Sequence, residues 1–96
     1  MKLDEQTSHN IAETFRTLSD PSRVRIIAAL LDGEMSIGAL VEVVSISQSA
    51  VSHQMRGLRQ MRLVKAHKVG RQVFYCLDDD HVADLFRQGL EHVGHA

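Results

Sequence analysis

Apolar residues recur at helical spacing through the first sixty positions and at strand spacing only after them. Over 8–19, Ile11, Phe15 and Leu18 fall at i, i+4 and i+7 with Glu13 and Arg16 on the wet side, so a first helix is predicted, with Ser8 as its N-cap. Asp20-Pro21 restarts the chain, because an aspartate cap followed by proline in the first turn is a strong start signal. The helix it opens runs to about Leu31 and is apolar nearly all round (Val24, Ile26, Ile27, Ala28, Leu30, Leu31), which predicts a buried central helix ended by Asp32-Gly33. Ser36 caps a short third helix with Ile37, Leu40, Val41 and Val44 inward, and Ser45-Ile46 makes a tight break. Ser47 caps a fourth helix reaching about Met61, with Val51, Met55 and Leu58 on its inner face. Helices of roughly 8 and 14 residues joined by a turn of about three have the proportions of a helix-turn-helix.

After Arg62 the period drops to two. Residues 63–68 and 72–77 read as a β-hairpin turning at Gly70, with Val73, Tyr75 and Leu77 on one face and Phe74 and Cys76 on the other. A last helix follows over 79–93, its apolar set being Val82, Leu85, Phe86, Leu90 and Val93. A hairpin directly after the second helix of a helix-turn-helix is a wing. The fold class is therefore mainly α (α+β): a winged helix-turn-helix of about five helices and a two-stranded wing, in one domain over residues 1–96. So short a chain buries a modest share of its surface, and a homodimer would enlarge its core.

A net charge of −1 says little, but its distribution says more. Residues 1–44 carry seven acids and four bases, and residues 76–96 carry five acids and one base. Between them, residues 45–75 carry no acid and six bases: Arg56, Arg59, Arg62, Lys65, Lys68 and Arg71. The outer face of the fourth helix presents Gln48, Ser49, Ser52, His53 and Arg56, side chains suited to phosphates and base edges, and Lys68 and Arg71 sit at the wing tip. The island has the footprint of a surface for double-stranded DNA, a solvated charged face being the plainer alternative.

The tail brings different chemistry. Asp79 and His81 stand at one end of the last helix, His92 and His95 at the other. His92 lies about 20° around the axis from His81, and His95 about 40°, yet His81 and His92 are ~16 Å apart along it. One ion with bonds of ~2 Å cannot span that gap. Two such helices packed antiparallel about a two-fold axis would join Asp79/His81 of one chain to His92/His95 of the other. An Asp/His set suits Zn(II), and also Co(II) or Ni(II). Singly, each residue has a structural reading: Asp79 as a cap, His92 and His95 as helix-end residues favoured by the dipole.

Residues 17–26 (Thr-Leu-Ser-Asp-Pro-Ser-Arg-Val-Arg-Ile), 47–55 (Ser-Gln-Ser-Ala-Val-Ser-His-Gln-Met) and 70–75 (Gly-Arg-Gln-Val-Phe-Tyr) resemble the ArsR/SmtB family of bacterial metal-sensing repressors. The resemblance spans residues 8–95. It implies a homodimeric winged-helix repressor that leaves a palindromic operator when its inducer binds. The family's Cys-x-Cys sensor would fall on Ser36 and Gly38, so that thiolate site is missing. Asp79-Asp80-His81 and His92-Val93-Gly94-His95 are similar to the sensor of the zinc- and cobalt-responsive members, whose sites cross the two-fold axis. With the resemblance, the expected DNA set is Ser47, Gln48, Ser49, Ser52, His53, Gln54, Arg56, Lys68 and Arg71.

Other classes fit less well. No His-Glu-x-x-His, nucleophile–base pair or Gly-rich phosphate loop points to an enzyme. No apolar run or leader suggests membrane or export, and a single cysteine fits a reducing cytoplasm. Two alternatives stay open: a winged-helix repressor with a non-metal inducer, and a metal-binding interaction domain that does not bind DNA.

Overall fold

The computed structural model describes residues 1–94, in the order α1 (Glu5–Thr17), α2 (Pro21–Leu30), β1 (Met35–Ser36), α3 (Ile37–Val44), α4 (Gln48–Gln60), β2 (Val64–Val69), β3 (Gln72–Leu77) and α5 (Asp80–His92). The chain has five helices and a small antiparallel sheet of order β1-β3-β2. The wing thus has a third strand beyond the expected hairpin. Met35 pairs with Tyr75 and Ser36 with Phe74, which ties the wing to the entrance of α3. A two-residue strand is too short to show alternation, so the pattern of apolar positions could not announce it.

Each helix starts where a short polar side chain accepts an orphan backbone N–H. Asp20 takes the N–H of Arg23 at 3.1 Å, with Pro21 in the first turn. Ser36 takes that of Ala39 at 3.2 Å and Ser47 that of Ala50 at 3.1 Å. α1 begins earlier than Ser8 would place it. Asp4 accepts from the Thr7 N–H at 2.6 Å, while the Ser8 hydroxyl bonds back to the Asp4 carbonyl at 2.8 Å and so lies inside the helix. The Thr7 backbone N–H, then its hydroxyl, hold the Asp4 carboxyl below its ordinary range. That cap is therefore present above the usual carboxylate pKa and lost as pH falls through the lowered one.

The helix ends are as specific. Ser45, with φ of 56°, closes α3 in the left-handed region. At the end of α4, the Leu63 N–H reaches the Leu58 carbonyl at 2.9 Å and the Arg62 N–H reaches Arg59 at 3.0 Å. This is a Schellman closure in which Arg62, φ 57°, occupies the left-handed position that glycine usually fills. Gly70, φ 63°, opens the two-residue turn between Val69 and Gln72, and Arg71 follows without a positive φ, as a type II′ hairpin needs.

The core lies where α2, α3, α4 and the base of the wing meet: Ile26, Ile27, Leu30, Leu40, Val44, Val51, Met55, Leu58, Leu63 and Val64 are buried, joined by Val82 of α5. α2 is not buried all round as its composition predicts, because Val24 is 41% exposed. α1 buries just Thr17, leaving Ile11 and Phe15 exposed, and α5 leaves Leu90 and Val93 exposed. Phe15, Val24, Phe86 and Leu90 line an apolar groove of about 610 Å³ between α1, α2 and α5.

Arg62→Gly removes the left-handed cost of a side chain but adds unfolded-state freedom, and the balance is expected to stabilise the fold by about 0.5–1 kcal/mol. A urea titration checks this through a higher midpoint at unchanged slope.

Candidate metal and nucleic-acid sites

Asp79 serves α5 before it serves any ligand. Its Oδ1 accepts from the Val82 N–H at 3.2 Å, capping the helix. Its Oδ2 stays free of the backbone and stands 3.4 Å from Nδ1 of His81, whose side chain is 93% exposed. One oxygen and one imidazole are therefore paired at the helix start and open to solvent. His92, the last residue of α5, is exposed and borders the apolar groove at the other end. His95 lies outside the described residues. Among the described residues no three potential ligands converge within one chain. On α5, His81 and His92 stand ~16 Å apart along the helix axis and cannot share one ion. The donors fit a metal ion chemically, but only as halves.

The outer face of α4 is built by its inner one. With Val51, Met55 and Leu58 buried, helical spacing turns Gln48, Ser49, His53 and Arg56 outward, all exposed, and leaves Ser52 half-buried. Ser47 has its hydroxyl oxygen committed to the cap and lies 3.2 Å from the Ser49 hydroxyl. Gln54 departs from the expected DNA-facing set. Its Oε1 accepts from Nε of Arg23 at 2.5 Å, so the side chain is turned toward α2. Lys68 and Arg71 are exposed at the tip of the wing, on either side of Val69 and Gly70.

One further feature escaped the sequence pattern. His67 sits on the wing with Nε2 2.9 Å from the Glu34 carboxylate and its ring stacked on Phe74 at 6.0 Å. The acid lies 33 positions away, so no local spacing reveals it. Arg59 and Arg62 are exposed cations that extend the basic surface from the end of α4 toward the wing. Cys76 is half-buried in β3, as a small strand residue would be.

Known proteins place this architecture. A family model described as the bacterial regulatory protein, arsR family, matches residues 20–66, the span from the α2 cap to β2. The chain is 45% identical over 93 residues to the transcriptional repressor SmtB homolog of Synechocystis sp., covering 97% of this chain and 69% of that protein. It is 40% identical to the HTH-type transcriptional regulator NmtR of Mycobacterium tuberculosis, over 97% of this chain and 78% of that one. The solution structure of apo-NmtR superposes with a TM-score of 0.81 at 38% identity, covering 100% of this chain and 81% of that chain. NolR of Sinorhizobium fredii superposes with a TM-score of 0.87 at 27% identity, over 100% and 99%. Among the described residues no helix is long and apolar enough to cross a membrane. The chain belongs to the ArsR/SmtB family of bacterial transcriptional repressors, DNA-binding winged helix-turn-helix proteins and not enzymes.

Proposed function

We propose that the protein is a homodimeric, metal-responsive repressor that holds a palindromic operator in its metal-free form and releases it when metal binds. The observation that carries this reading is the disposition of α5. Asp79 and His81 are paired at its start, His92 stands at its end, and the helix between them borders an apolar groove that one chain leaves open. A second copy laid antiparallel on α1 and α5 would cover Phe15, Leu90 and Val93 and bring opposite ends of α5 together. Asp79 and His81 of one protomer would then face His92 and His95 of the other, giving two sites per dimer. Zn(II) is the ion this donor set favours, with Co(II) and Ni(II) compatible and thiolate-seeking ions disfavoured. The wider similarity supports a metal signal: a relative of 34% identity is named a cadmium resistance regulatory protein CadC homolog.

Operator contact falls to Gln48, Ser49, Ser52, His53 and Arg56 on α4, to Ser47 at its cap, and to Lys68 and Arg71 on the wing. Each α4 would enter one of two successive major grooves, with their separation set by the dimer. Bound metal supplies a rigid tie between the protomers, and the angle so fixed suits the operator poorly. Linkage makes the effect mutual: the operator weakens metal binding by the factor by which metal weakens operator binding, typically ~1–3 kcal/mol.

His81→Ala is expected to leave operator affinity within about twofold of wild type while abolishing metal-triggered release, since it removes a ligand and no fold contact. Fluorescence anisotropy with and without Zn(II) reads this, and loss of operator binding would instead make His81 structural. In the same protein a Zn(II) titration is expected to fall from one ion per protomer toward none.

Arg56→Ala is expected to weaken operator binding and lower the slope of log K against log salt by about one. An unchanged slope would remove Arg56 from the interface. Phe15→Asp places a charge in the apolar groove and is expected to shift the protein to monomer in sedimentation equilibrium, with loss of both metal and operator binding.

A further inference from the structure

Arg23 joins three helices through one guanidinium. Its Nη1 donates to the Thr17 carbonyl at the end of α1, at 3.0 Å. Its Nε donates to Oε1 of Gln54 on α4, at 2.5 Å. Its Nη2 lies across Gly57, where an added Cβ would sit 3.5 Å away. Arginine has donors and no acceptor, so the amide of Gln54 must present its oxygen to it, and the orientation of that side chain is fixed by chemistry. The planar fork lets one residue hold two acceptors at a set angle, which a lysine ammonium cannot do.

What this fork connects is telling. Thr17 is the one buried residue of α1, and α1 otherwise offers its apolar side to solvent. α4 carries the proposed DNA face on the side opposite its buried Val51, Met55 and Leu58. The guanidinium passes over Gly57, at ordinary van der Waals distance from where a Cβ there would stand. From these contacts we propose that Arg23 is a positioning residue. Its bracket to Thr17 and Gln54 sets the angle of α4 against the dimer-forming α1, and hence the separation of the two recognition helices. This rests on the dimer and DNA reading given above. It also gives Gln54 a role inside the protomer in place of the DNA contact expected from its neighbours in sequence.

The test compares wild type with Arg23→Met, Gln54→Met and Gln54→Glu. Each carries a nitroxide at Gln60→Cys, the exposed end of α4, with Cys76→Ala to leave one thiol. Double electron–electron resonance then reads the distance between the two α4 helices in the free dimer. Arg23→Met and Gln54→Met are expected to broaden that distribution to a similar degree, and Gln54→Glu, which keeps an acceptor for the guanidinium, to retain the narrow one. Operator affinity should fall about tenfold in the two methionine variants. Their preference for one half-site spacing should flatten across a series of operators with altered spacers. Circular dichroism and thermal midpoints identify any variant that simply unfolds, and the Gln54 pair stands if Arg23→Met does. An unchanged distance distribution in folded Arg23→Met and Gln54→Met overturns the inference. A wild-type dimer that binds no operator while its variants broaden as expected would count against the DNA reading and leave the bracket intact.

Discussion

The constraint on which this structure depends is an apolar surface that one chain cannot cover. α1 and α5 flank the core without being enclosed by it, and Phe15, Leu90 and Val93 remain exposed around the groove between them. Burying a side chain of that size contributes ~1.5–3 kcal/mol, so a matching surface of the same composition gains a great deal by covering it. A second copy offers such a surface, and a two-fold contact places each patch against its own equivalent. The metal and DNA functions both follow from that pairing. Neither the ligand halves on α5 nor the single recognition helix on α4 forms a complete site in one protomer.

In the proposed function, helix geometry is what would turn the dimer into a switch. Thirteen residues keep the ends of α5 too far apart for one ion, and in the proposed dimer a two-fold axis would bring opposite ends together. Asp79 illustrates the economy of the arrangement. One carboxylate oxygen caps the helix while the other is left beside His81, so the backbone that positions the ligand is held by the ligand itself. A cap of this kind is worth about 1 kcal/mol, enough to keep the first turn of α5 formed before metal arrives. The acidic end of the proposed site would thus be preorganised.

The helices were readable from sequence because their caps and apolar periods agree. Asp20-Pro21, Ser36, Ser47 and Asp79 each stand where the structure has a cap, and Gly70 stands in the turn of the wing. Ser8 misled because Asp4 already caps α1 by accepting the Thr7 N–H, which puts Ser8 inside the first turn with its hydroxyl bonded back to the Asp4 carbonyl. β1 was invisible because two residues carry no period. Contacts between residues distant in sequence were equally hidden: Glu34 with His67, Met35 with Tyr75, and Arg23 with Gln54, 31 positions away. Gln54 shows the consequence. Read along α4 it belongs with its polar neighbours, while in space it belongs to α2. Asp79, His81 and His92 could be placed at the two ends of α5 from spacing alone because they fall on or beside one helix, but closure of the proposed site needs a partner that a single sequence does not show.

Charge distribution explains why a change of angle would suffice as the output. The chain as a whole carries a net charge of −1, so no long-range attraction draws it to a polyanion. Its cations are concentrated between residues 45 and 75, and its acids lie on either side. Beyond a Debye length of ~8 Å at physiological salt the island is screened, so it acts only where α4 and the wing touch the duplex. In the proposed complex, affinity would then depend on both protomers placing Arg56, Lys68 and Arg71 against phosphates at once. A misplaced second protomer loses its contacts and brings nearby acids closer to the backbone. A strongly basic protein would tolerate such a shift by sliding to a non-specific mode. A nearly neutral one, whose attraction is local and paired, would on the proposed reading be released.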